Sequence, residues 1–175
     1  MTPIRIVGIA IAALVSMVLL TGCGSTPRAT NLQVNMTLNE QLAQSGRVPS
    51  IEVDVIGLNQ SQLETFRTVS LSEYFLSSLR RDTNKKTFYF ASGNTEPKTL
   101  ARTDGVWKEW IDGQGAMYLA VLADIPGVTQ DLPGEADPRR LILPLDRSRW
   151  SGTRVDIRVD GSGLTLLTPP KPAAD

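Results

Sequence analysis

Apolar residues recur at every second position in three stretches of the chain. Leu32, Val34, Met36 and Leu38 alternate with Asn31, Gln33, Asn35 and Thr37, and Ile51, Val53 and Val55 alternate with Glu52 and Asp54. Val155, Ile157 and Val159 alternate with Arg154, Asp156, Arg158 and Asp160. A two-residue period gathers the apolar side chains of a strand on one face, so each stretch predicts a half-buried strand with one wet side. Residues 87–91, 116–124 and 140–145 predict further strands, and 99–102 a weaker one. In 116–124, Met117, Leu119, Val121 and Ala123 face one way and Tyr118, Ala120 and Leu122 the other, the pattern of a central strand covered on both sides. Asp160-Gly161-Ser162-Gly163 predicts a hairpin turn built on positive-φ glycines, with a return strand over 164–167.

One segment follows a different period. Ser70-Leu71-Ser72-Glu73 has the spacing of a capping box, and Leu71, Phe75 and Leu79, joined by Tyr74, then fall on one helical face. Arg80 and Arg81 close the segment where cations favour the helix dipole. The pattern predicts one helix over 71–81, inserted between strands and packed over a sheet. Short strands separated by turn signals around a single helix define a mainly β chain, a two-sheet β-sandwich with one short inserted helix.

Both ends depart from the strand pattern. After Arg5, residues 6–20 run apolar apart from Gly8 and Ser16, about the length of a signal-peptide core and short of the ~20 residues that span a bilayer. Leu20-Thr21-Gly22-Cys23 resembles the lipobox of bacterial lipoproteins: an apolar residue, two small ones, then the Cys whose thiol receives the lipid. That resemblance implies cleavage before Cys23, covalent diacylglycerol and an N-acyl chain on Cys23, and no other cofactor. Several acyl chains supply the stable membrane attachment that a single chain does not. Gly24 rather than Asp after the Cys implies the outer membrane. The expected organisation is a lipoprotein signal peptide at 1–22, a lipidated tether at 23–30, a β-sandwich domain at 31–168 and a disordered, proline-rich tail at 169–175.

Composition then narrows the chemistry. The 175 residues contain no His and one Cys, which removes Ser-His and Cys-His nucleophiles, imidazole acid–base catalysis, HExxH metal sites and disulfides. With 18 Lys+Arg against 18 Asp+Glu there is no electrostatic footprint for nucleic acid, and removal of 1–22 takes away only Arg5. Glu52 and Asp54 project from one strand face about 7 Å apart, a glycosidase-like spacing. The plainer expectation is a solvated face paired with Arg154 and Arg158 of another strand. Asp131, Glu135 and Asp137 lack the regular calcium-loop spacing and read as an acidic surface loop. Gly161-Ser162-Gly163 lacks the frame of a nucleophile elbow, and Gly113-Gln114-Gly115 lacks the third glycine of a phosphate-binding loop. The glycosylation sequons at Asn35 and Asn59 are chance matches in a bacterial lipoprotein. Trp107, Trp110 and Trp150 are expected to plug the ends of the core, with an exposed binding anchor at Trp107 or Trp110 as the alternative. No catalytic set or metal site survives, and the chain reads as a non-enzyme.

The order of these features resembles the TssJ family, the outer-membrane lipoproteins of type VI secretion systems. The resemblance is carried by the lipobox, by Asn39 through Gly46-Arg47-Val48-Pro49, and by the strand Ile51-Glu52-Val53-Asp54-Val55-Ile56-Gly57-Leu58. Phe66 with the capped helix, residues 118–124, and Trp150 leading into 153–160 extend it. Ile56-Gly57-Leu58 departs from the Tyr-x-Leu expected of the family at the end of the second strand, and residues 82–115 fit loosely. Membership implies a transthyretin-like sandwich that tethers the secretion membrane complex by binding the periplasmic C-terminal region of TssM, the inner-membrane component. It also implies that the loop between the first two strands makes the contact, here through Asn39, Gln41, Leu42 and Arg47, with Leu42 as apolar anchor. Deletion of 40–48 is then expected to abolish partner binding while the domain still folds. A reading of a different class remains beside it: a periplasmic binding or chaperone-like lipoprotein with a groove for a peptide, sugar or lipid.

Overall fold

The computed structural model describes residues 28–173. Cys23, the signal segment 1–22 and most of the tether lie outside them. Two four-stranded sheets face one another. The first has the order β4-β1-β7-β8 and the second β3-β2-β5-β6. The strands are β1 (Gln33–Leu38), β2 (Ile51–Leu58), β3 (Lys85–Phe90), β4 (Lys98–Leu100), β5 (Tyr118–Asp124), β6 (Arg140–Pro144), β7 (Arg154–Asp160) and β8 (Gly163–Leu166). All pairings are antiparallel except β1 with β7, where Val34 lies opposite Val155 and Leu38 opposite Val159. Every strand expected from the alternation is present, and the fold is the expected mainly β sandwich.

The sandwich core takes the inward residues of both sheets: Val34 and Met36 of β1, Val53 and Val55 of β2, Val121 of β5 and Ile157 of β7. A second cluster lies on the outer face of the second sheet, where Ile56, Leu58, Ala120 and Leu122 meet Phe66, Leu71 and Tyr74 from a helical layer. β2 and β5 are thus covered on both faces. Both clusters, with the partly buried residues packed against them, are built between Ala29 and Leu166, so the chain from residue 24 onward carries the whole described fold.

The helical layer differs from the single helix over 71–81. It consists of α2 (Gln60–Thr68), α3 (Leu71–Leu76) and α4 (Ser78–Asp82), while a one-turn α1 (Glu40–Gln44) sits between β1 and β2. Ser77 breaks the expected helix. Its backbone is extended at ψ 166°, its N–H donates to Tyr74 O, and its side chain accepts from Arg80 N. A small hydroxyl residue able to end one helix and cap the next makes a corner. The complete capping box belongs to α2, where Asn59 accepts from Gln62 N at 3.0 Å and Gln62 Oε1 accepts from Asn59 N at 3.1 Å. Ser70 does cap α3, accepting from Glu73 N at 3.1 Å, and its hydroxyl donates to Asp131.

All three tryptophans are buried, which settles the alternative of an exposed anchor against it. Trp107 and Trp110 meet edge-to-face at 5.3 Å, and each indole N–H is spent on a backbone carbonyl: Trp107 on Ala101, Trp110 on Asn84, Trp150 on Pro144. Trp110 rides on a π-helical turn (Glu109–Gly113) that follows α5 (Val106–Lys108) and leans against Gly57 of β2. A Cβ at Gly57 would lie 2.5 Å from Trp110 Cβ, so the glycine makes room for the indole. The turn after β7 forms without positive-φ glycine, contrary to expectation. Gly163 is there for close approach instead: a Cβ would lie 2.7 Å from Pro138 O, which accepts from Leu164 N.

At the two ends, Thr30 N donates to Leu145 O at 2.9 Å and Ala29 bridges Asp146. Lys171 N donates to Arg149 O at 2.7 Å, so the described part of the proline-rich tail is tied to the loop before β7. No helix among the described residues is long and apolar enough to cross a membrane.

Gly57→Ala is expected to destabilise the domain by about 1–3 kcal/mol, because the added methyl forces Trp110 out of its packed position. Equilibrium urea unfolding followed by tryptophan fluorescence reads the change, and an unaltered midpoint would refute the close-packing role of Gly57.

Candidate functional site

The segment between β1 and β2 begins where Asn39 N donates to Val159 O at 2.8 Å, holding the loop against the end of β7. The Asn39 side chain accepts from Gln41 N and Leu42 N, so it caps α1 and is not free to reach a partner. Gln44 Nε2 donates to Glu40 Oε1 at 2.9 Å on the exposed side of the turn. Leu42 and Ala43 point inward and pack on the sandwich core. Val48 is buried, and its N–H and C=O both engage Ser92 of the loop after β3.

Of the expected contact residues, then, Gln41 and Arg47 are exposed, Asn39 supports the backbone, and Leu42 is committed to the domain. Arg47 forms no salt bridge among the described residues. Deletion of 40–48 would strip Leu42, Ala43 and Val48 from the core, so it does not separate binding from folding as expected. Substitution of the exposed side chains does.

Strand direction places this loop. β1 runs from the end where Thr30 meets Leu145 to the end where Asn39 meets Val159. The loop therefore stands at the opposite end of the sandwich from the arriving chain, about 20 Å away at ~3.3 Å per strand residue.

The acidic pairs singled out in the sequence belong to structural networks. Asp54 is fully buried beneath the helical layer rather than solvated, because β2 is covered on both faces. It accepts from Tyr74 Oη at 3.0 Å, Arg80 Nε at 2.8 Å and Thr87 Oγ1 at 2.6 Å. Glu52 pairs with the same Arg80, whose guanidinium also lies 4.8 Å over the Phe75 ring. The hydrogen bond to Asp54 is the largest cause that raises the Arg80 pKa, against an opposing desolvation. Burial first, and the Asp54 charge second, push the Tyr74 phenol above its ordinary range. Arg154 and Arg158 do not serve as partners; they pair within their own strand with Asp156 and Asp160.

The second acidic cluster stands in a loop at the surface, as expected, but its buried part is an ion-pair network rather than a set of solvated carboxylates. Asp137 and Arg139 are buried and paired at 2.7 Å, and Asp131 joins Arg139 while accepting from Ser72 Oγ at 2.8 Å. Burial opposes ionisation of Asp131, but hydrogen bonds from Ser70, Arg139 and Ser72 outweigh it and hold its pKa well below the carboxylate range. Glu135 stands apart and pairs with Arg67 at 3.0 Å. Arg140, also buried, donates to the carbonyls of Arg67, Val69 and Gly134, which ties the C-terminal end of α2 to β6. Among the described residues, no group of three or more His, Cys, Asp or Glu is placed to hold a metal ion. A cleft of about 330 Å³ between α2, α4 and β2 has Ile56, Phe66 and Leu79 beside Gln62, Asp82 and Gln114, and is where a groove-type ligand would sit.

No family model and no curated protein matches the sequence. Among solved structures, a chain of one described as "Type VI membrane complex" superposes with a TM-score of 0.51 at 17% identity, covering 80% of this chain and 99% of that one. The sandwich has the fold of a type VI membrane-complex chain. A structure of the T6SS protein TssM C-terminal domain from EAEC aligns with a TM-score of 0.49 at 18% identity, covering 78% of this chain and 96% of that one. The T6SS lipoprotein TssJ1 from Pseudomonas aeruginosa gives 0.47 at 12% identity, covering 83% and 99%.

Within the sandwich, Asp54 is the polar pin between sheet and helices. Asp54→Ala leaves Arg80 and Tyr74 without their shared acceptor and is expected to cost about 3 kcal/mol, the lower part of the range for broken buried pairs, since Arg80 retains Glu52. Urea unfolding measures it. A loss below about 1 kcal/mol would mean that the network adds nothing beyond the apolar contacts around it.

Proposed function

We propose that this protein is an outer-membrane-anchored periplasmic lipoprotein of the TssJ type. It tethers the type VI secretion membrane complex by binding the periplasmic C-terminal region of a TssM-like inner-membrane protein. The observation that carries the reading is the separation of two ends. The chain arrives at one end of the sandwich from the lipobox Leu20-Thr21-Gly22-Cys23, and the loop that carries Gln41 and Arg47 projects from the other. The likeness of fold to a type VI membrane-complex chain supports it.

The mechanism is mechanical. Acyl chains on Cys23 hold the domain to the inner leaflet of the outer membrane, and residues 24–27 bridge to the sandwich. The rigid sandwich then carries the 39–47 surface into the periplasm. A tethered site meets its partner at an effective concentration far above that of a free protein, so a weak contact suffices when several copies assemble. The role in this reading is assembly, and the buried carboxylates serve it as structural groups saturated by Arg80, Tyr74, Thr87 and Arg139.

Two outcomes test the proposal. Arg47→Glu combined with Gln41→Ala is expected to weaken capture of a purified periplasmic TssM fragment by about ten- to a hundredfold, the loss of one or two interface anchors, while the thermal midpoint stays within about 2 °C. Capture undiminished by the double variant would move the contact elsewhere on the domain. Cys23→Ser is expected to release the folded protein from the outer-membrane fraction, and a variant that still sediments with that membrane would refute the acyl anchor.

A further inference from the structure

We propose that the end of the sandwich where the tether arrives is a membrane contact in its own right: an arginine-lined cleft that receives the phosphate of an anionic phospholipid headgroup. The orientation rests on the Cys23 anchor proposed above; the cleft rests on the structure.

Arg28, Ala29, Thr30, Asn31, Arg102 and Arg147 line a cleft of about 380 Å³, with no carboxylate among them. None of the three arginines forms an ion pair among the described residues, which is also true of Arg47, Arg81, Arg140 and Arg149; what distinguishes the three is that they converge on one cleft. The carboxylates nearest in the fold are outside this cleft: Asp104 and Asp112 line the neighbouring one that Arg102 also borders, and Asp104 is paired with Lys86. Asp146, next in sequence to Arg147, is spent on capping Ser148 through both its backbone N–H and its hydroxyl.

The cleft is built on fixed backbone. Asn31 Nδ2 donates to Arg102 O at 3.0 Å and Arg102 Nε donates back to Asn31 O at 3.2 Å, which locks the arriving chain to the loop after β4. Thr30 is held to Leu145, and Arg147 donates to Trp150 O at 2.8 Å. These bonds leave each guanidinium with unused N–H donors. Planar guanidinium groups bind phosphate oxygens in bidentate fashion, so convergent arginines match a phosphodiester.

Distance selects the occupant. From Cys23 to Arg28 the chain spans at most roughly 17 Å, so an acylated Cys23 places the cleft within reach of the headgroup layer. Each basic side chain near an anionic surface strengthens binding by about fivefold. An acyl anchor joined to a basic patch is a two-signal attachment, and it would also orient the domain with the 39–47 loop pointing away from the bilayer.

The test uses the chain from residue 24 onward, which carries the described fold and no acyl group, in sedimentation with vesicles of phosphatidylglycerol or of phosphatidylcholine alone. Binding to the phosphatidylglycerol vesicles only, weakened by salt, is expected. Replacing Arg28, Arg102 and Arg147 together by Gln should lower that partition by about a hundredfold, and Arg47→Gln at the far end should leave it unchanged. Circular dichroism confirms that the variants are folded. Equal binding to both vesicles, no binding to the anionic ones, or an unaffected triple variant would overturn the proposal. Titration with inorganic phosphate supplies the remaining arm: saturable binding as tight as that of the vesicles would assign the cleft to a free anion and reject the membrane contact. The protein here has neither lipid nor partner, so failure would leave the Cys23 anchor and the 39–47 contact standing. Failure of either of those would in turn leave the vesicle result intact.

Discussion

The molecule is organised around a strand that must be buried on both faces. β2 gives Ile51, Val53 and Val55 to the sandwich core and Ile56 and Leu58 to the helical layer, and Asp54 is caught between Ile56 and the rim of that layer. A carboxylate fully withdrawn from water is tolerable only with strong donors around it. The helical layer supplies two of them, Tyr74 and Arg80, and β3 supplies Thr87. The break at Ser77 is part of the same arrangement, since it lets α4 turn so that Arg80 lies over Phe75 and onto Asp54. The same sheet also fixes Gly57 under Trp110.

The strands were legible because alternation is a local property, visible in residues such as Val155, Ile157 and Val159 whatever lies across the core. The double-sided pattern of 117–123 was equally direct. What could not be read locally was decided by distant residues. Glu52 and Asp54 look like a wet strand face until the helical layer, tens of residues away in sequence, is laid on top. Asp131 and Asp137 look like solvated carboxylates because their partner Arg139 is recognised only once the loop folds back on itself. α2 was missed because Leu63 and Phe66 are its only buried residues, too few for a strong helical period, although Asn59 and Gln62 form its capping box. Of the loop residues taken from the family resemblance, position in sequence alone did not separate Gln41 and Arg47, which are exposed, from Leu42, which turns inward because α1 lies against the core.

The two ends of the sandwich have opposite characters. At the tether end, a backbone hydrogen bond ties Thr30 to Leu145 just after β6, side-chain bonds between Asn31 and Arg102 tie it to the loop after β4, and three arginines converge there. At the other end the β1–β2 loop carries exposed side chains on a backbone fixed by Val159 and Ser92. A rigid body between them keeps both surfaces at constant separation, the geometry that the proposed tethering role needs.

Hydrogen–deuterium exchange on the chain from residue 24 onward, with and without a purified periplasmic TssM fragment, tests the account most directly. Partner binding at the β1–β2 loop is expected to slow exchange across residues 39–48 and to leave the segments around Thr30, Arg102 and Arg147 unchanged. Protection confined to those tether-end segments, or to the edge strands β3 and β8, would contradict it.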